Sequence, residues 1–324
     1  MLKIKTSRAR FYSFVIFGWL LLLISDRIGE LRQYQGAFIA TYSLAIASII
    51  LLTGYSGQLS LGHGALMAVG AYAAALSINN LKLHPVIALG VAVLVSGVFG
   101  LLVGYAAARL SGPYLAGTTL ALAISLPTIV YQVPILGGEQ GLIFDIGSPP
   151  AWLGEEFSQY QWYFWISALA ALIMVLLLAN LLHSRFGRQL LALRDNPTAA
   201  QISGINIGQQ KAVGFAISSG AAGLAGSLLI MLLSGVAPSV FPLSLSFLML
   251  AGAVVTGLYS LKGIIIGGMV LVAIPEIVES VVSTIGGSEG LITSLPGFIV
   301  SGLLVLAVMF TPNGPQHLIH QKKR

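Results

Sequence analysis

The 324-residue sequence contains no cysteine, which excludes disulfides and any thiolate metal site. It is also poor in charge: only 8% of its residues are Asp, Glu, Lys or Arg, against roughly 25% in soluble domains. So few charges cannot clothe a water-facing surface, and an ordinary soluble globular class is excluded. Catalytic grammar is missing as well. The five histidines, His63, His84, His183, His317 and His320, form neither an HExxH pair nor another metal-ligand spacing. There is no GxSxG nucleophile turn, no carboxylate pair inside an apolar stretch and no GxxxxGK[ST] phosphate loop. An enzyme reading therefore has no constellation to rest on, and no ATP-hydrolysing motif is written into the chain.

What is present is apolar. Hydrophobic residues make up 56% of the chain and the mean hydropathy is +0.92. About 20 apolar residues span a bilayer as a helix, and that measure gives an all-α polytopic membrane protein with about ten spans. They fall near 11–28, 36–53, 60–80, 85–108, 113–135, 162–183, 210–235, 243–261, 263–283 and 292–311. Eight spans with re-entrant pieces is the alternative, because the third and seventh stretches are rich in Gly, Ala and Ser.

Charge placement sets the orientation. With the N-terminus inside, ten spans put Lys3, Lys5, Arg8, Arg10, Arg109, Arg185, Arg188, Arg194, Lys211, Lys262, Lys322, Lys323 and Arg324 on the cytoplasmic side. Arg27, Arg32 and Lys82 alone, of 16 basic residues, fall outside. That asymmetry obeys the positive-inside rule and puts both termini in the cytoplasm. The acids Asp26, Glu30, Glu139, Asp145, Glu155, Glu156, Glu279 and Glu289 fall outside. The basic charge is thus a topology signal, and no nucleic-acid partner is expected.

The whole chain, 1–324, reads as one transmembrane domain with four marked segments. Residues 1–35 form a tail and an anchor helix: "FYSFVIFGWLLLLI" has a basic flank like a signal peptide, but "SDRIGELR" follows without a small-residue cleavage site. Residues 136–161 form an acidic outer loop, 184–210 a polar cytoplasmic segment and 312–324 a basic tail. The GxxxG patterns at Gly100–Gly104 and Gly263–Gly267, and "GAAGLAG" at 220–226, suit close helix packing inside the chain.

Three polar features interrupt the apolar background. In the cytoplasmic segment, Asn196 suits a helix N-cap, Pro197 the first helical position and Gly204 the position just past the end. Asp195 adds negative charge beside the positive end of the dipole. Ser56, Gln58, Ser60 and His63 precede a small-residue helix, which suits either the mouth of a passage or a purely structural turn. Glu276 is the one ionisable residue within a span, where charge is disfavoured by about 2.5–3.5 kcal/mol on insertion scales. It is either part of a passage or a residue that reaches outer water because Pro275 breaks the helix beside it.

Several stretches together resemble the permeases of branched-chain amino acid ABC importers, of the LivM type. They are "TGYSGQLSLGHGALMAVGAYAAALS" (53–77), "RLSGPYLAGTTLAL" (109–122), "LGGEQGL" (136–142) and "SRFGRQLLALRDNPTAAQISGIN" (184–206). "KAVGFAISSGAAGLAGSLL" (211–229), "IPEIVES" (274–280) and "MFTPNGP" (309–315) follow in the same order. "YSGQLSLG" on its own is superficially similar to the signature motif of ABC ATPases, but that motif belongs to a soluble nucleotide-binding domain that this chain lacks. Departures from the family pattern are Thr198 in place of a frequent Glu, Glu139 and Gln140 in the outer loop, and "VTGLYSLKG" at 255–263.

The resemblance implies an importer permease fold in the cytoplasmic membrane of a prokaryote. It implies a second homologous permease, two ATPase subunits that bind ATP and magnesium, and an extracytoplasmic solute-binding protein. No cofactor is expected in this chain. The capped helix is then similar to a coupling helix seated on an ATPase, formed by Arg194, Asp195, Asn196, Thr198, Ala199, Ala200, Gly204, Ile205 and Asn206. Passage candidates are Ser56, Gln58, Ser60, His63, Thr118, Thr119 and Glu276. The implied solute is leucine, isoleucine or valine, with urea, short amides and other neutral amino acids as alternatives. An ATP-independent secondary transporter using Glu276 is the rival of another class.

Overall fold

The computed structural model describes residues 2–285, except 109, 111, 112, 145, 151, 152, 155 and 156, together with 290, 294, 295, 297–299 and 302. The expected span near 292–311 lies largely, and the 312–324 tail wholly, outside the described residues, as do Arg109, Asp145, Glu155, Glu156 and Glu289.

The chain is a succession of helices: α1 (Leu2–Ser25), α2 (Glu30–Ile49), α3 (His63–Leu81), α4 (Pro85–Ala107), α5 (Pro113–Gln132) and α6 (Gln159–Leu182). Two short helices, α7 (Arg185–Asp195) and α8 (Pro197–Ile202), precede α9 (Ile207–Leu233), α10 (Leu243–Thr256) and α11 (Ile264–Ile285). Eight helical stretches among the described residues are long and apolar enough to cross a bilayer, and they coincide with the second to ninth expected spans. The apolar part of α1, Phe14–Ser25, is shorter. The architecture is all-α and polytopic, as the hydropathy pattern requires.

α9 is the central helix, buried along most of its length against α2, α3 and α4. Small residues make that possible. A methyl group on Gly104 would stand 2.8 Å from Phe215 Cβ and 2.9 Å from Ala212 Cα; one on Gly70 would run into the Gly223 backbone, and one on Gly223 into Ser96 of α4. At the second GxxxG pattern, a methyl on Gly267 would stand 2.7 Å from Ile46 Cδ1. Both patterns therefore let helices of this chain approach, where lipid supplies no hydrophobic drive to hold them together.

Hydroxyls stitch the same helices. Ser96 Oγ lies 2.7 Å from Ser219 O and 3.0 Å from Leu66 O, joining α4 to α9 and α3. Ser218 Oγ donates to Ser48 O at 2.7 Å, and Gly64 N donates to Ser246 Oγ at 2.9 Å. Each such bond contributes about 0.6 kcal/mol on average in a membrane protein.

Two elements differ from the sequence expectation. Pro275 lies inside α11 without ending it; the missing N–H of a proline is tolerated where neighbouring helices support the freed carbonyl. The polar 184–210 segment holds two helices rather than one, since Ser184 caps α7 by accepting from Phe186 N at 3.1 Å.

Connecting segments gather at two opposite ends. At one end, Leu142–Ile143 pairs antiparallel with Gly235–Val236, Asn79 Nδ2 donates to Ile143 O at 3.1 Å, and Ser158 Oγ donates to Glu30 Oε1 at 2.9 Å. At the other, the segments after α2, α6 and α10 meet, and Lys211 Nζ donates to Leu110 O at 3.4 Å.

Candidate functional site

The polar 184–210 segment is built from consecutive helices, each capped by a side chain of the chain itself. α7 is amphipathic: Leu190 and Leu193 are fully buried beneath it, with Leu190 against α9 near Gly214. Asn196 both ends α7 and caps α8, accepting from Ala199 N at 3.0 Å. Pro197 occupies the first position of α8, where its missing N–H removes no intrahelical bond. At the other end Ile205 N returns to Ala200 O at 3.1 Å, and Gly204 takes φ +81°, a left-handed turn that glycine adopts without a Cβ clash. Asn206 then caps α9, accepting from Gln209 N at 3.1 Å. The helix punctuation in the sequence is what forms.

α8 has two unlike faces. Ala200 is buried against the body of the protein, while Thr198, Ala199, Gln201 and Ile202 face outward. Ile202 is 84% exposed, a large aliphatic group held out from the body of the protein. Sequence reasoning missed Ile202; the signal was the one large aliphatic residue of a six-residue helix, PTAAQI, that lies in a polar segment.

Arg194, expected among the residues facing an ATPase, is engaged inside the chain. Its Nε and Nη2 donate to Asp195 Oδ1 at 2.9 and 2.7 Å, and its Nη1 donates to Gly54 O at 2.7 Å. Its guanidinium carbon stands 4.8 Å from the centre of the Tyr259 ring. Among the described residues, Arg194–Asp195 is the one ion pair.

The passage candidates separate into two groups. Ser56, Gln58, Ser60, His63 and Thr119 are enclosed by protein. Gln58 Nε2 donates to Ser56 Oγ at 2.6 Å and Lys211 O at 3.2 Å. The His63 ring sits among three hydroxyls, with Nε2 2.9 Å from Ser48 Oγ and 3.4 Å from Ser218 Oγ, and Nδ1 3.4 Å from Ser60 Oγ. Thr119 Oγ1 accepts from Leu61 N at 3.0 Å, fastening the 56–62 segment to α5. Thr118 and Glu276 are on the surface instead. Glu276 Oε1 accepts from Gln35 Nε2 of α2 at 2.7 Å.

Thr118 belongs to an exposed face of α5 that also carries Gly117, Ala121, Ser125, Thr128 and Gln132. Larger apolar side chains, Tyr114, Ile124, Ile129 and Tyr131, are exposed on the same helix, so its surface interleaves small polar groups with apolar ones. A cavity of about 370 Å3 opens elsewhere, at the opposite end from α8, walled by Asn79, Lys82, His84, Gly147 and Trp162. None of the seven passage candidates lines it.

Residues 36–310 match the family described as "Branched-chain amino acid transport system / permease component". The chain belongs to this family. A relative of this permease family, the high-affinity branched-chain amino acid transport system permease protein LivM of Salmonella typhimurium, is 29% identical over 82% of the chain. The chain spans 65% of that relative's length. The probable branched-chain amino acid transport permease protein LivH of Methanocaldococcus jannaschii is 25% identical, over 89% of this chain and 90% of that one. The solved structure of PsaBC from Streptococcus pneumoniae in complex with Fab superposes with a TM-score of 0.46 at 14% identity, over 92% of this chain and 97% of that one. At that score the likeness carries no argument.

Proposed function

We propose that this chain is a membrane subunit of an ATP-driven, binding-protein-dependent importer in the cytoplasmic membrane of a prokaryote. The observation that carries the reading is α8: a helix capped at both ends that holds Ile202, 84% exposed, on the cytoplasmic side. A partner that covered this side chain would take its apolar area out of water, and the occupant fitted here is an apolar groove on an ATPase subunit. Thr198 and Ala199 share that outward face and are small enough for close seating. ATP and magnesium would be bound by two such ATPases, since this chain has no phosphate loop.

The solute passage, in this reading, runs along the exposed face of α5, with Thr118, Ser125, Thr128 and Gln132 turned toward a second, homologous permease. Mild hydroxyl and amide groups beside apolar walls suit a small amphipathic zwitterion, and the relatives' names point to leucine, isoleucine or valine. Urea and short amides satisfy the same surface. The enclosed group around His63 then holds the mouth of α3 in place rather than touching solute. Transport would follow alternating access, with ATP binding favouring one of two membrane conformations.

Affinity purification of the tagged chain from its native membrane, followed by mass spectrometry, tests this reading. A second permease, two P-loop ATPases and a solute-binding protein should accompany it. A clean homomeric preparation under mild detergent would overturn it. The recovered binding protein then decides between leucine and urea by calorimetric titration.

A further inference from the structure

Three cytoplasmic segments that are far apart in sequence converge on one side chain. α2 does not end as an α-helix; it widens into a π-helix, Ile50–Tyr55, in which Ser56 N reaches back to Leu51 O at 3.1 Å. Such widened turns are rare and concentrate at functional sites. The last carbonyls of any helix lack intrahelical donors, and here the Gly54 carbonyl is met by Arg194 Nη1 from α7 at 2.7 Å. A cation at a helix C-terminus is favoured by the dipole as well. The backbone of the third segment, between α10 and α11, lies against the same turn: a methyl on Gly54 would overlap Leu258 O, and Tyr55 Oη donates to Tyr259 O at 3.1 Å. The Tyr259 ring covers the flat face of the guanidinium. Gly57, at φ +68°, leaves space for the Arg194 stem, since a methyl there would stand 2.8 Å from Arg194 Cγ.

From this convergence we infer that Arg194 is a positioning residue that transmits movement of α8 to the cytoplasmic ends of α2 and α10. The inference rests on the coupling reading of α8 and deepens it. The surfaces of the guanidinium divide the contacts among them, as one edge holds Asp195, the other caps α2, and the face stacks on Tyr259. Only Asn196 separates α7 from α8, so a force on Ile202 reaches Arg194 through continuous helix-capped backbone. Leu190 and Leu193, anchored in the core, act as the pivot. The rigid fork is essential, because a lysine ammonium offers no planar face and no paired edges.

The experiment uses the assembled complex in proteoliposomes and reads solute uptake and ATP hydrolysis together. Arg194→Ala should leave the ATPases bound and hydrolysing while uptake per ATP falls about tenfold, the scale on which coupling residues act. Arg194→Lys should recover only part of it, Tyr259→Phe should behave as wild type, and Tyr259→Ala should lose coupling in the same direction as Arg194→Ala. The chain has no cysteine, so Ser260→Cys gives a single thiol. Its labelling rate should change when a non-hydrolysable ATP analogue is added, and that change should vanish with Arg194→Ala. Unaltered uptake per ATP in Arg194→Ala, or an unaltered labelling response, overturns the inference alone. Should Arg194→Ala fail to assemble, equal coupling in Tyr259→Ala and Tyr259→Phe overturns it. A wild-type chain that retains no ATPase overturns the coupling reading and this inference together.

Discussion

Ala200 and Ile202 are two residues apart on the same six-residue helix, yet Ala200 is 3% exposed and Ile202 84%. The alanine seats α8 on the body of the protein; the isoleucine points away from it. Ile202→Asp should therefore abolish recovery of the ATPases by affinity purification, with membrane insertion and detergent-monodisperse elution unchanged. An isoleucine that merely happened to be exposed would predict normal recovery.

Gly204 is the other end of the same device. Its φ of +81° disfavours any side chain, by roughly 1–2 kcal/mol, although nothing stands within 4 Å of the position where a Cβ would be. Gly204→Arg should impair ATPase association through the distorted turn and the bulk it adds beside α8. Normal complex recovery and normal uptake in that variant would sink the docking role of α8.

Asn196→Ala removes the side chain that accepts from Ala199 N, a loss of about 1 kcal/mol in helix stability. Faster hydrogen exchange at Ala199 and Ala200 is the expected readout, together with weaker ATPase binding. Asn196→Asp should preserve both, because aspartate caps as well as asparagine does.

His63→Ala empties a buried position ringed by Ser48, Ser60 and Ser218; Ser48 and Ser218 keep their bonds to Ala45 O and Ser48 O, while Ser60 Oγ loses the imidazole it faces. Each buried polar group left unmade costs about 1–3 kcal/mol. The variant should melt at lower temperature in size-exclusion thermostability measurements while its solute preference stays that of wild type. A changed solute preference would make His63 a contact residue of the passage instead.

Glu276 distinguishes the importer from an ion-coupled carrier. Its carboxylate is exposed and shares a hydrogen bond with Gln35; Glu276→Gln keeps an acceptor in place and removes the charge. Uptake in vesicles should survive this change and still require ATP. Dependence on a proton or sodium gradient, lost in the variant, would favour the secondary transporter.

Much of this was written locally in the chain. Apolar runs of bilayer length marked the membrane spans, because a lipid core demands internally bonded helices whatever they pack against. The count of Lys and Arg on alternate loops gives the expected orientation, since that signal is additive and needs no tertiary information. Asn196, Pro197 and Gly204 announced α8, as capping involves residues within one turn of each other. Tertiary structure decided what a one-dimensional pattern cannot hold. A membrane helix that is apolar all round gives no sign of which face meets lipid and which meets protein, so the enclosure of His63 and Thr119 and the exposure of Thr118 emerged only from packing. The inward turn of Arg194 likewise depended on Gly54 and Tyr259, 140 and 65 positions away in sequence. A cation in a polar segment reads as a topology mark until the fold brings it a carbonyl, a carboxylate and an aromatic face.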